Sequence, residues 1–284
     1  MIVFCETSHS IDRLIDGVDT RWRSWHRSRS GTHWRGVADE RVLCLRADRD
    51  PRRFRGGARP RLGRIGRPGT WWDGAARVAI AAETRLACSC GLCRRRKEAL
   101  SPAAIEGKHD SLGVLPEIVV EVVHRVRTDP ARLSEGWFRR VITAGLTEEQ
   151  YVETVSVVAH VVAIDTMTRG LGFDLLLLPQ PEQGRPSEYR PPGAKMGDAW
   201  VPWLEPADLS EAESGLYPAG RPAANIMKAM SLVPDEVRSF FDLVSHQYLP
   251  PLAMRDFSRE YRAISHSQIE LLAARVSALN QCLY

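Results

Sequence analysis

The chain has 284 residues, of which 44% are hydrophobic, and a formal net charge of +4. This composition allows one large domain or two small ones, and it is not that of a chain too polar to fold. No apolar run reaches the roughly 18 residues that a membrane helix requires. Cys5, Glu6 and His9 fall where a signal peptide needs its apolar core. We therefore expect a soluble cytoplasmic protein with no membrane partner.

The charge is distributed unevenly along the chain. Residues 1–70 contain 16 Arg, no Lys and 8 acidic residues, a formal +8, which leaves −4 for the remainder. This segment shows neither helical nor strand periodicity, so we predict an irregular segment without a fold. Three interpretations stay open: a disordered leader, a basic arm that binds nucleic acid, and a stretch foreign to the natural protein. Because the main body is acidic, nucleic acid is not an expected partner.

The next part of the chain predicts helices. An Ala-rich helix is expected over residues 75–85, followed by the sequence CSCGLC at 88–93 and the basic run RRRK at 94–97. A second helix opens at Pro116, since proline suits the first helical position and apolar residues follow at helical spacing. A short helical piece is expected over residues 137–142.

A long helix is predicted to begin after Leu146. Thr147 and Gln150 form a capping box, and Leu146 with Tyr151 forms a hydrophobic staple. The apolar pattern continues to Gly170 or two residues beyond, where glycine ends it.

The remainder is predicted to be a second helical unit. Residues 178–204 contain Pro, Gly and Glu without periodicity and are interpreted as a linker between unit 71–177 and unit 205–284. Four helices are expected in the second unit, over residues 208–216, 223–232, 234–248 and from 265 to about 279. No segment alternates as a strand does, so the predicted fold is all-α, with two related helical units.

Cys90 and Cys93 form a CxxC motif. Its spacing brings two sulfurs together when the first cysteine lies at a helix N-terminus, where backbone N–H groups and the helix dipole stabilise a thiolate. Two alternatives remain open: half of a zinc site completed by Cys88 and His109, and a pair of buried structural cysteines. His124 lies in an apolar helical stretch and is interpreted as a core or interface histidine.

A second cysteine pattern lies at the end of the chain. Glu270 precedes Cys282 by twelve residues on a predicted helix that leads into Asn280-Gln281-Cys282. This resembles the alkylhydroperoxidase D-like superfamily, which is related to carboxymuconolactone decarboxylase, where such a glutamate leads into an Asn-x-Cys-x-x-Cys turn. The chain ends two residues after Cys282, where the family's second cysteine comes next. The resemblance covers roughly residues 71–284 and is most specific in the last twenty.

The first unit resembles the same superfamily less closely. Val78 stands twelve residues before Cys90, in place of the family's glutamate, and Lys97 stands where its histidine would be. The nearest upstream carboxylate is Glu83, seven residues before Cys90. Seven residues are close to two helical turns, so Glu83 would face the cysteines if one helix were continuous. Dithiol–disulfide exchange is the expectation for this unit.

The resemblance implies a thiol-dependent peroxidase or dithiol–disulfide oxidoreductase. In the family the second cysteine attacks the peroxide, the first resolves the sulfenic acid, and the glutamate and histidine relay protons. Carried over, Glu270 would be the relay acid and Cys282 the resolving cysteine, with Cys90 and Cys93 as the redox pair of the first unit. The resemblance implies no metal or organic cofactor, a peroxide substrate, an external thiol or dithiol reductant, and a homo-oligomer. Two alternatives are a non-catalytic helical interaction protein with structural or zinc-binding cysteines, and carboxymuconolactone decarboxylase activity.

Overall fold

The structure of the protein is a computed structural model that describes residues 51–218, 222–249, 253, 256–262 and 264–279. The predicted all-α fold is confirmed, because these residues form helices and no strand. None of the described helices is long and apolar enough to cross a membrane. The described α-helices are α1 (Pro51–Gly63), α2 (Gly74–Leu86), α3 (Gly91–Glu98), α4 (Glu117–Thr128), α5 (Glu135–Thr143), α6 (Glu148–Gly170), α7 (Asn225–Lys228), α8 (Pro234–Gln247) and α9 (His266–Leu279). Short 3-10 helices lie at Arg64–Gly66, Ala87–Ser89, Pro102–Ala104, Pro130–Arg132, Pro206–Asp208 and Glu211–Glu213.

The long helix α6 begins where its local signals predict. The Thr147 hydroxyl accepts a hydrogen bond from the Gln150 N–H (3.1 Å), and the Gln150 side chain accepts one from the Thr147 N–H (3.2 Å). The helix ends at Gly170, as predicted. Most of its residues are buried, so α6 is the central helix, and α2, α4 and α8 pack around it.

One hydrophobic core joins the two predicted units. Val201 and Leu204, from the predicted linker, are buried in the same cluster as residues of α2, α4 and α6. Val237, Phe240 and Leu243 of α8 belong to it as well. The boundary expected at residues 178–204 therefore does not separate two cores. The physical reason is that α6 is apolar on several faces and needs α8 to cover the side that α2 and α4 leave open.

A buried ion network reinforces this packing. Arg77 on α2 forms ion pairs with Glu153 on α6 and with Glu236 on α8, the latter at 2.7 Å. The side chains of all three residues are at most 6% exposed. The Ser156 hydroxyl also donates to Glu236 at 2.6 Å. Three helices are thus held by charges that would be costly to leave unpaired.

The Arg-rich segment is less irregular than predicted. Residues 1–50 lie outside the described residues, but residues 51–63 form α1, which packs against α6 and α8. Ala58, Leu62 and Ile65 are buried in the core. Their spacing is helical, but the surrounding Arg and Gly obscured it in the sequence.

Two helices predicted for the second unit are much shorter in the structure. In place of a helix over residues 208–216 there are single 3-10 turns. Ser210 and Glu213 form a capping box, but Gly215 follows at a φ of 74°, a left-handed conformation that ends the turn. The helix predicted over 223–232 is reduced to α7 (Asn225–Lys228).

Candidate functional site

The CxxC motif begins helix α3. Helix α2 ends at Leu86, a 3-10 turn follows, and Cys90 is the N-cap residue of α3. Cys93 therefore lies in the first turn of that helix. Both cysteines are buried, at 1% and 4% exposure. Cys90 therefore lies at a helix N-terminus, the position at which the CxxC spacing brings two sulfurs together.

Two histidines converge on the two sulfurs. His109, from the segment between α3 and α4, places Nδ1 3.5 Å from Cys90 Sγ and 3.4 Å from Cys93 Sγ. His124, on α4, places Nδ1 3.3 Å from Cys93 Sγ. The two rings lie side by side, with centroids 4.3 Å apart. The four potential ligand atoms all lie within 4.8 Å of one another.

Each histidine is oriented by a carboxylate on its far side. His109 Nε2 lies 2.8 Å from Glu121 Oε2, and His124 Nε2 lies 2.8 Å from Glu83 Oε1. Nε2 of each ring carries the proton that the carboxylate accepts, and Nδ1, the opposite ring nitrogen, faces the sulfurs. Glu83 and His124 are fully buried.

The two carboxylates are themselves held in place. Glu121 accepts hydrogen bonds from Trp137 Nε1 (3.0 Å) and Arg96 Nη1 (2.9 Å). Glu83 accepts one from the Leu112 N–H at 3.1 Å. Arg96 belongs to the basic run that follows the motif, and its charge is paired with Glu121 at the edge of the site.

The surroundings shift the pKa values of the two thiols in opposite directions. Burial would raise the pKa of Cys90, but hydrogen bonds from the Cys93 backbone and the His109 ring outweigh it and lower that pKa. Burial raises the pKa of Cys93 to about 12. For His109 the hydrogen bond to Glu121 overcomes burial and raises the pKa, whereas burial lowers the pKa of His124.

The sequence anticipated only part of this arrangement. Glu83 does reach the site, but one continuous helix does not carry it there, and it contacts His124 instead of a cysteine. His124 is buried, as expected of a core histidine, yet it contacts Cys93. Cys88, one of the additional ligands named for a zinc site, is exposed and lies outside the converging group. The available signal was the Glu121-x-x-His124 spacing, which places both side chains on one face of α4.

The predicted C-terminal site is described only at Glu270. This residue lies on α9, with its side chain 42% exposed. Tyr248 donates a hydrogen bond to it at 2.6 Å, and His266 Nε2 lies 3.4 Å away. Cys282 lies outside the described residues, so the pairing of Glu270 with Cys282 stays a prediction.

Comparison of the chain with protein-family models, with curated proteins and with solved structures found no match. The similarity to the alkylhydroperoxidase D-like superfamily therefore stays an expectation from the sequence. The site itself consists of two thiols, two imidazoles that face them and two supporting carboxylates.

Proposed function

We propose that the protein is a thiol-dependent peroxidase in which Cys90 and Cys93 alternate between a dithiol and a disulfide. The observation that supports this most directly is the chain Cys93–His124–Glu83, with separations of 3.3 Å and 2.8 Å, next to a second thiol in a CxxC motif. A carboxylate behind an imidazole behind a thiol is the arrangement that nucleophilic thiol chemistry requires, because the imidazole accepts the thiol proton.

The positions of the two sulfurs support different roles for them. Cys90 is the N-cap residue of α3, where the Cys93 N–H and the helix dipole favour a thiolate, and His109 lies beside it. Cys93 lies farther into the helix, against His124. We therefore assign Cys90 as the attacking thiolate and Cys93 as the resolving thiol. This reverses the order that the family resemblance implied.

The chemistry then proceeds in two balanced steps. The Cys90 thiolate attacks one oxygen of hydrogen peroxide, the O–O bond breaks, and the products are a sulfenic acid and hydroxide, which takes up a proton to become water. Cys93 passes its proton to His124 and attacks the Cys90 sulfur. Hydroxide leaves and takes up that proton as water, and the disulfide remains. An external dithiol returns the pair to the reduced state by transferring two electrons and two protons.

Burial favours a small oxidant. At 1% and 4% exposure, neither sulfur is accessible to a disulfide carried on another protein without local opening of the segment after α3. Hydrogen peroxide is little larger than a water molecule and needs far less opening. For the same reason, a small thiol or dithiol suits the site better than a protein reductant.

The test is thiol trapping after a stoichiometric pulse of hydrogen peroxide, on reduced protein kept in a chelator. Mass spectrometry is expected to locate a Cys90–Cys93 disulfide that dithiothreitol reverses. Cys93→Ser should instead accumulate a sulfenic acid at Cys90, which dimedone labels. Cys88→Ser, which alters the exposed cysteine two residues before the motif, is the matched control and should behave like the unaltered protein.

Continued alkylation of both thiols after the pulse would refute the proposal, as expected of a non-catalytic helical interaction protein with structural cysteines. Sulfenic acid at Cys93 in the Cys90→Ser variant, together with none at Cys90 in Cys93→Ser, would refute the assignment of the two roles and restore the family's order of attack.

A further inference from the structure

We infer that the reduced site binds one Zn²⁺ through Cys90, Cys93, His109 and His124, and that metal binding and disulfide formation exclude each other. The metal site stands on the geometry alone, whereas the mutual exclusion rests on the proposed thiol chemistry. The site differs from the one that the sequence suggested, because His124 takes the place of Cys88.

Three of the separations between the ligand atoms are close to the edge of a zinc tetrahedron. With Zn–S bonds of about 2.3 Å and Zn–N bonds of about 2.0–2.1 Å, a tetrahedral S···N edge is roughly 3.6 Å. The observed S···N separations are 3.5, 3.4 and 3.3 Å. These three edges would have to lengthen by only about 0.1–0.3 Å to reach that value, and all four ligand atoms lie within 4.8 Å of one another.

The outer contacts are those of a metal-binding histidine pair. A histidine that ligates a metal through one ring nitrogen usually donates the other N–H to a carboxylate, which fixes the ring and its tautomer. Both histidines of this site have that partner, Glu121 for His109 and Glu83 for His124, each at 2.8 Å. In both rings it is Nδ1 that points toward the sulfurs.

The donor types select the ion. Two thiolates and two imidazoles suit Zn²⁺, while Mg²⁺ and Ca²⁺ prefer oxygen donors. Four protein donors leave no open position, which is typical of a site that stores or structures zinc and does not use it as a Lewis acid. Bound zinc would cover both sulfurs and protect them from peroxide. In the reverse direction, hydrogen peroxide takes two electrons from the two thiolates, giving the disulfide, two hydroxide ions and free Zn²⁺.

The test is a titration of the full chain, reduced and stripped with a chelator, with Zn²⁺ in competition with a chromophoric chelator. One equivalent should bind, and Co²⁺ in its place should give the absorption of a tetrahedral, thiolate-ligated ion. Cys93→Ser and His124→Ala should lose this site, while Cys88→Ser retains it. Glu83→Gln and Glu121→Gln should bind with roughly 10–100-fold lower affinity, since they alter only the outer contacts.

Experiments with oxidised protein distinguish the metal-site proposal from the peroxidase proposal. Protein carrying the Cys90–Cys93 disulfide should bind no zinc at this site, and zinc-loaded protein should form the disulfide more slowly than stripped protein. The metal site is refuted if reduced protein binds Zn²⁺ no more tightly than Cys93→Ser, or if Cys88→Ser loses as much affinity as Cys93→Ser. If stripped protein forms no disulfide, the peroxidase proposal and the mutual exclusion both fail, and the zinc titration of reduced protein alone decides the metal site.

Discussion

The buried ion network makes a quantitative prediction about how the helices are held together. Arg77 on α2 is the shared partner of Glu153 on α6 and Glu236 on α8, and the three side chains are 6%, 0% and 4% exposed. Replacing Arg77 with Met keeps most of the side-chain volume but leaves both carboxylates buried without their cation. Removing one partner of a buried pair costs about 3–5 kcal/mol, and we expect a loss in this range, because Glu236 loses its cation while Glu153, whose pKa burial raises, can take up a proton.

The expected loss is a large part of the free energy of unfolding, because a folded domain is typically stable by only about 5–15 kcal/mol. Urea unfolding followed by circular dichroism measures the change as a shift of the midpoint at constant slope. The triple variant Arg77→Met, Glu153→Gln, Glu236→Gln removes all three charges and should recover to within roughly 2 kcal/mol of the unaltered protein, since the penalty comes from unpaired charge.

Arg139→Met is the matched control. Arg139 is 70% exposed and pairs with Glu135 one turn away on α5, so its loss should change the free energy of unfolding by less than about 0.5 kcal/mol. The reasoning is refuted if Arg77→Met lies within about 1 kcal/mol of the unaltered protein. It is equally refuted if the triple variant is less stable than Arg77→Met, which would mean that packing and not charge holds these helices.

Three further outcomes are expected. Burial outweighs the opposing charge of Arg77 and raises the pKa of Glu153 to about 7, so the contribution of this carboxyl to stability should be complete below its usual pKa, be lost as pH rises through about 7, and be absent in Glu153→Gln. His124→Gln should slow closure of the Cys90–Cys93 disulfide by roughly 100-fold or more without abolishing sulfenic acid formation, as stopped-flow trapping would show. Phe240→Ala, at 1% exposure in the shared core, should lower the free energy of unfolding by about 3–5 kcal/mol in urea.

Each of these three predictions has a control variant that tests the proposed physical cause. The pH curve of Glu135→Gln, which alters an exposed carboxylate on α5, should follow the unaltered protein. A rate of disulfide closure in His124→Gln equal to that of Cys88→Ser would remove His124 from the proposed mechanism. Phe241 is the neighbour of Phe240 on α8 and only half-buried, so Phe241→Ala should cost clearly less; equal losses would contradict the shared core.

Local signals in the sequence determined the helices that depend on nearest neighbours. The capping box at Thr147 and the helical spacing of apolar residues in α4 and α8 act within one or two turns, so they can be recognised without knowing the fold. The CxxC spacing was recognised in the same way, whereas the helix that begins at Gly91 was not predicted. Helix α1 was not predicted because the core residues Ala58, Leu62 and Ile65, the last in the 3-10 turn after the helix, are dispersed among many Arg and Gly residues. The 3-10 turns at residues 206–213 were not predicted because a positive-φ glycine outweighed a favourable cap.

The tertiary structure decided which side chains meet at the sulfurs. Glu83, His109 and His124 lie on α2, on the segment before α4 and on α4, and they are brought together only when α2 and α4 pack beside each other and against α6. Nothing local specifies that convergence, because the contact between His124 and Glu83 spans 41 residues. The sequence by itself therefore determined a CxxC motif in an all-α chain, and the structure placed that motif at the start of a helix. Long-range packing determined that the motif meets two histidines, each supported by a carboxylate, because side chains so far apart in sequence become neighbours only through the shared core.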